Sequence, residues 1–97
     1  MEFILPLKNG FTIYSKSGCP NCINVKKLLQ EHNIQYLIID CDDYLIEYKD
    51  EFLKFIQNLT GKEWKLFPIV FFDGVFLGGF KETKEYIDKK YISFDAL

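Results

Sequence analysis

Apolar and polar β-formers alternate from Phe11 to Lys16, between Gly10 and Ser17-Gly18, which predicts a strand. From Pro20 to about Asn33 the spacing becomes helical, placing Cys22, Val25, Leu28, Leu29 and His32 on one face. Pro20 suits the first helical position, because its missing N–H would have had no partner there. Tyr36 to Asp40 is a short apolar run between polar residues and predicts a second strand. A right-handed crossover would lay it parallel to the first. Glu47 to Thr60 carries a stripe of Tyr48, Phe52, Phe55, Ile56 and Leu59, with Asp50 and Glu51 in its N-terminal half and Gly61 as C-cap. Pro68 to Phe72 predicts a buried strand, Asp73-Gly74 a hairpin turn and Val75 to Leu77 the returning strand. Gly78-Gly79 ends that strand, and Lys81 to Lys90 predicts a closing helix.

The predicted order is β-α-β-α-β-β-α, an α/β chain whose mixed four-stranded sheet is flanked by helices. That is the thioredoxin-like arrangement. No repeat, low-complexity tract or linker interrupts the 97 residues, so a single domain over residues 1–97 is expected. Pro6 and the short leader leave little room for an initial helix. Met1 to Leu7 is apolar but lacks the basic start and length of a secretion signal.

Composition adds little to this picture and removes several function classes. A net charge of −2 gives no footprint for a phosphate backbone, so no nucleic-acid partner is expected. No apolar run reaches membrane-spanning length, so no membrane partner is expected either. All 12 basic residues are lysine, as AT-rich coding would give. The expected compartment is a reducing cytoplasm, a host's if the source is a virus.

The three cysteines are an odd number, which fits poorly with a disulfide-stapled secreted domain. In a reducing compartment a Cys-x-x-Cys pair points to redox catalysis or to metal. Cys19 falls just before the first helix, where free N–H groups and the positive dipole end favour an anion. That placement takes a thiol from its free pKa of ~8.5 to anywhere within about 3.5–7.5, and the thiolate is the nucleophile. Cys22 lies one turn inside, more buried and past the dipole's best reach, so it is the expected resolving thiol. A Cys₃His zinc site from Cys19, Cys22, His32 and Cys41 is available by count alone. At ~1.5 Å rise per residue, however, His32 lies roughly 20 Å from Cys19, too far to share an ion. No metal is expected. Cys41 reads as a small semi-buried residue.

The stretch Tyr14-Ser15-Lys16-Ser17-Gly18-Cys19-Pro20-Asn21-Cys22 resembles the active-site segment of glutaredoxins, which usually ends Cys-Pro-Tyr-Cys. Leu59-Thr60-Gly61, Lys65-Leu66-Phe67-Pro68 and Leu77-Gly78-Gly79-Phe80-Lys81-Glu82 resemble later glutaredoxin blocks in the same order. The resemblance implies glutathione as co-substrate, with a cis proline at Pro68 and the backbone of Phe67 pairing with the glutathione cysteine. It implies that Lys16 and Lys65 meet the glycine carboxylate. It further implies that the N–H groups of Lys81 and Glu82 hold the γ-glutamyl carboxylate, with Gly79 allowing close approach and Pro20 and Asn21 beside the reacting sulfur. Helix N-termini bind carboxylates on physical grounds as well.

Several departures bear on affinity and partner choice. Asn21 removes the usual aromatic wall, Leu66-Phe67 makes the substrate edge more apolar, and Glu82 stands where aspartate is typical. Trp64, in a lengthened loop, either covers part of the groove or packs on the second helix. The implied activity is reduction of protein disulfides and protein–glutathione mixed disulfides by a monomer, with ribonucleotide reductase as a family-level target. Two alternatives stay open. A thioredoxin-type reductant would carry Cys-Gly-Pro-Cys flanked by Trp, which is absent here. An iron–sulfur cluster carrier would have to place its cluster against the ring of Pro20.

Overall fold

A computed structural model describes residues 2–92. Four strands, β1 (Phe11–Ser15), β2 (Tyr36–Asp40), β3 (Ile69–Phe72) and β4 (Val75–Gly78), form one sheet in the order β2-β1-β3-β4. β1 runs parallel to β2 and antiparallel to β3, and β3 pairs antiparallel with β4. The helices are α1 (Pro20–Glu31), α2 (Asp42–Glu47), α3 (Lys49–Thr60) and α4 (Phe80–Ile87), the last continued by a π-type turn at Asp88–Ile92. The thioredoxin-like mixed sheet is therefore present, with one helix more than expected.

That extra helix corrects the reading of Glu47 to Thr60 as a single element. The chain turns into α2 directly after β2, with Cys41 at its N-cap and the Asp40 carboxylate accepting from the Asp42 N–H at 2.9 Å. It breaks at Tyr48 and restarts as α3. Asp42 and Asp43 supply negative charge in the first turn of α2, where the helix dipole favours it.

Every residue of β1 is buried, as expected for an inner strand covered on both faces. Its side chains divide by the two-residue period. Phe11 and Ile13 join Val25, Leu29, Val70 and Ile87 under α1 and α4. Tyr14 joins Ile39, Phe52, Ile56, Ile69 and Phe71 under α2 and α3. The segment before β1 contains no helix among the described residues. It is held across the second face instead. Phe3 packs edge-on against Tyr44 and Phe52 at 4.8 and 5.4 Å, and the Tyr14 hydroxyl donates to the Ile4 carbonyl at 2.5 Å. The two cores pin both ends of β1, so the loop after Ser15 leaves the sheet from a fixed point.

Candidate active site

The loop Lys16-Ser17-Gly18 carries the chain from β1 to α1. Gly18 takes φ +67°, a left-handed conformation that glycine adopts without a Cβ penalty. Cys19 is the N-cap of α1 and Pro20 its first residue. The Cys19 Sγ accepts the Cys22 N–H at 3.1 Å, so sulfur fills the place a serine or aspartate oxygen usually takes. The same N–H and the helix dipole would stabilise a thiolate there. Cys19 and Cys22 form a disulfide with their Cα atoms 5.3 Å apart. Cys19 is 8% exposed and Cys22 1%, so an incoming sulfur meets Cys19 first.

The loop is fastened from the β2 side. The Cys41 N–H donates to the Ser15 carbonyl at 2.8 Å, prolonging the parallel ladder by one step. Beyond it the Ser17 N–H donates to Asp42 Oδ1 at 2.9 Å and the Ser17 hydroxyl donates to Oδ2. These two hydrogen bonds, the hydroxyl's the larger effect, hold the Asp42 carboxyl below its ordinary range, with Lys16 adding to them. Nothing in the sequence around Asp42 marks it, because Ser17 lies 25 residues away. The register pairing Ser15 with Asp40 is what sets Asp42 opposite Ser17.

A carboxyl whose folded pKa is lowered contributes stability above its ordinary pKa and loses it as pH falls through the folded value. Asp42→Asn is therefore expected to be less stable than the parent at neutral pH, the gap closing in acid. Acid titrations of both proteins followed by circular dichroism check this, and a gap that stays constant with pH would remove the carboxylate's role.

In the loop before β3, the Phe67–Pro68 peptide is cis. Lys16 holds its Nζ 5.6 Å from the Phe67 ring centroid. Lys16, Lys65 and Phe67 line one groove of about 330 Å³ together with Leu45, Lys49 and Leu53. Two of the expected cationic positions thus share a groove, and Lys49 joins them without having been singled out. Lys16 also borders a second groove of about 260 Å³, lined by Cys19, Cys22, Ile23 and Lys26.

At the start of α4, Gly79 is the N-cap and the Glu82 carboxylate accepts its N–H at 2.8 Å. Glu82 is thus folded back into a capping box rather than extended outward. Gly78 makes room for it at φ +137°, where a Cβ would stand 2.7 Å from the Glu82 Cγ. Lys81 is exposed at the second helical position. Asn21 lies along the surface of α1, its Oδ1 accepting from Asn24 Nδ2 at 3.2 Å. Trp64 packs against the core cluster that holds Phe52 and Ile56 of α3. It packs edge-on against Phe76 of β4 at 5.0 Å, donates Nε1–H to the Leu66 carbonyl at 2.8 Å and shares a groove with Leu53 and Gln57 of α3. Its ring also borders Gly79, where an added Cβ would lie 3.8 Å away.

Cys41 is fully buried rather than semi-buried, and burial pushes its thiol up to about 12. His32 is the C-cap of α1, at the end of the helix opposite Cys19. Among the described residues no group of three or more His, Cys, Asp or Glu side chains could hold a metal ion.

Residues 11–77 match the family model for glutaredoxin. The chain belongs to the glutaredoxin family. It is similar to the rat protein "Glutaredoxin-2, mitochondrial", at 32% identity over 75 residues that cover 77% of this chain and 45% of that one. Among solved structures, glutaredoxin 1 of Francisella tularensis is similar at 30% identity with a TM-score of 0.70, covering 81% of this chain and 92% of that one. A buckwheat glutaredoxin–glutathione complex is similar at 28% identity with a TM-score of 0.67, covering 88% of this chain and 74% of that one. The chain spans less than half the length of the mammalian relatives it matches. In this glutaredoxin the family's cysteine pair is Cys19 and Cys22, at the N-terminus of α1.

Proposed function

We propose that this glutaredoxin is a glutathione-dependent dithiol–disulfide oxidoreductase acting on protein disulfides and protein–glutathione mixed disulfides. The observation that carries the reading is the Cys19 sulfur at the α1 N-terminus, bonded to the Cys22 N–H and more exposed than its partner. Its thiolate attacks the glutathione sulfur of a mixed disulfide, forming a Cys19–glutathione disulfide and expelling the protein thiolate, which takes a proton. A second glutathione thiolate then attacks that glutathione sulfur, giving glutathione disulfide and free Cys19. On a protein disulfide, Cys22 attacks Cys19 of the mixed intermediate instead. The target's second thiolate leaves, and the Cys19–Cys22 disulfide holds the two electrons' worth of oxidation until two glutathiones reduce it.

The similar buckwheat protein's complex with glutathione supports glutathione as co-substrate. The groove of Lys16, Lys65 and Phe67 beside Pro68 supports the glycine end's position. Lys81 and Glu82 offer first-turn N–H groups for the γ-glutamyl end. Ribonucleotide reductase stands as one candidate target, the working form as a monomer, and the compartment as a reducing cytoplasm.

An exposed ion pair is worth only ~0.2–1 kcal/mol. A carboxylate held by charge-assisted hydrogen bonds in a partly desolvated groove is worth on the order of 1.5–3 kcal/mol. Lys65→Ala is accordingly expected to raise KM for a glutathione mixed disulfide roughly tenfold or more. The change in kcat should be smaller, because the contact is remote from the reacting sulfur. Lys54→Ala on α3 is the charge-matched control. If both variants behave alike across a salt titration, Lys65 is an ordinary surface charge and the groove assignment fails.

A further inference from the structure

The groove beside Phe67 holds more positive charge than one glycine carboxylate requires. Lys16 comes from the β1–α1 loop, Lys49 from the first turn of α3 and Lys65 from the loop before β3, while Leu45, Leu53 and Phe67 supply apolar walls. No Asp or Glu lines it among the described residues. Asp42, the acid within electrostatic reach of Lys16, already accepts two hydrogen bonds from Ser17. Asp50 and Glu51, next to Lys49 in sequence, line a different groove on α3.

Lys49 is also placed against its own helix. It is the first residue of α3, where the dipole disfavours a cation and the next two residues are acidic. The helix end adds its positive potential to the three ammonium groups, and each ammonium has three donors to satisfy. A single carboxylate beside Lys16 and Lys65 leaves Lys49 facing a groove that no acidic side chain lines.

Resting on the glutathione reading, we infer that this groove is a three-lysine seat selecting thiol peptides whose residue after the cysteine carries two carboxylates. The bound form is a γ-glutamylcysteinyl peptide ending in glutamate or aspartate. The main-chain carboxylate meets Lys16 and Lys65, and the side-chain carboxylate meets Lys49. Lys49 is then a specificity-determining residue, and the chemistry at Cys19 is unchanged.

The test uses the full chain carrying Cys22→Ser, so that one thiolate exchange is read without a resolving step. Mixed disulfides of one reporter thiol with γ-Glu-Cys-Gly and with γ-Glu-Cys-Glu are compared by the rate of reporter release. In each case Cys19 attacks the peptide sulfur and the reporter leaves as a thiolate. The glutamate peptide is expected to half-saturate at a concentration roughly two- to fivefold lower, the range an exposed ion pair supplies. Lys49→Ala should erase that preference, raising half-saturation for the glutamate peptide more than for the glycine peptide until the two coincide. Lys49→Arg should keep it, and added salt should shrink it. Equal half-saturation of the two peptides, or a preference that survives Lys49→Ala, overturns the inference. Lys65→Ala separates this from failure of the parent reading. Weaker binding of both peptides upholds the glutathione groove, whereas no effect on either removes the groove and the three-lysine seat with it.

Discussion

Cys19→Ser is expected to reduce both activities to background, and Cys22→Ser to abolish only the one that needs a second thiol. A serine at 19 keeps the N-cap geometry, since its oxygen can accept the Cys22 N–H as the sulfur does. What it loses is the sulfur nucleophile, and a hydroxyl neither attacks a disulfide sulfur nor leaves from one under these conditions. Cys22→Ser removes a group that is 1% exposed and takes no part in the first exchange. Reduction of a glutathione mixed disulfide should survive there, because a second glutathione completes the cycle. Reduction of a protein disulfide should fail, because the mixed intermediate has no neighbouring thiol to release it. Cys41→Ser should leave both activities intact, since that thiol is buried with its pKa pushed up to about 12. Steady-state assays on a glutathionylated peptide and on a protein disulfide distinguish these outcomes. Equal loss of both activities in Cys22→Ser would favour a thioredoxin-like mechanism over the one proposed.

The cysteine pair was legible in the sequence because its chemistry is local: a strand, a glycine turn and a proline-started helix lie within a dozen consecutive residues. The sheet was legible for the same reason, since β1 and β3 announce themselves by runs of apolar β-formers and β4 by the Asp73-Gly74 turn before it. α2 was not. Its six residues are too few for a helical period to show, and it depends on the Asp40 carboxylate and on the end of β2. Asp42 and Lys49 escaped notice because each acts across a distance in sequence, Asp42 on Ser17 and Lys49 beside Lys16 and Lys65. Glu82 shows the converse. Glu at the third position of a helix completes a capping box, and that is the bond its side chain makes here, while its backbone N–H belongs to the first turn of α4.

The largest effect on stability is expected from Phe52→Ala. Phe52 is fully buried, and its ring lies within 5.4–6.4 Å of those of Phe3, Tyr14, Tyr44, Phe55 and Phe67. It joins the N-terminal segment, β1, α2, α3 and the cis-proline loop in one cluster. Truncating a buried phenylalanine typically costs about 3–5 kcal/mol, a large share of the ~5–15 kcal/mol that holds a domain folded. For a domain of this size each kcal/mol is worth about 4–8 °C, so Tm should fall by more than ~10 °C. The position also reaches the site. Phe52 stacks on Phe67 at an interplanar angle of 16°, and Phe67 in turn carries Lys16 over its ring. Phe52→Leu keeps most of the volume and should fold, yet it removes the flat face behind Phe67. It is expected to raise KM for a glutathione mixed disulfide with little change in kcat. Val25→Ala, buried in the other cluster under α1 and α4, supplies a core variant on the face away from Phe67. If Phe52→Leu and Val25→Ala shift Tm but leave KM alike, the aromatic cluster stabilises the fold without shaping the groove. A KM rise confined to Phe52→Leu ties the core of α3 to the seat at Phe67.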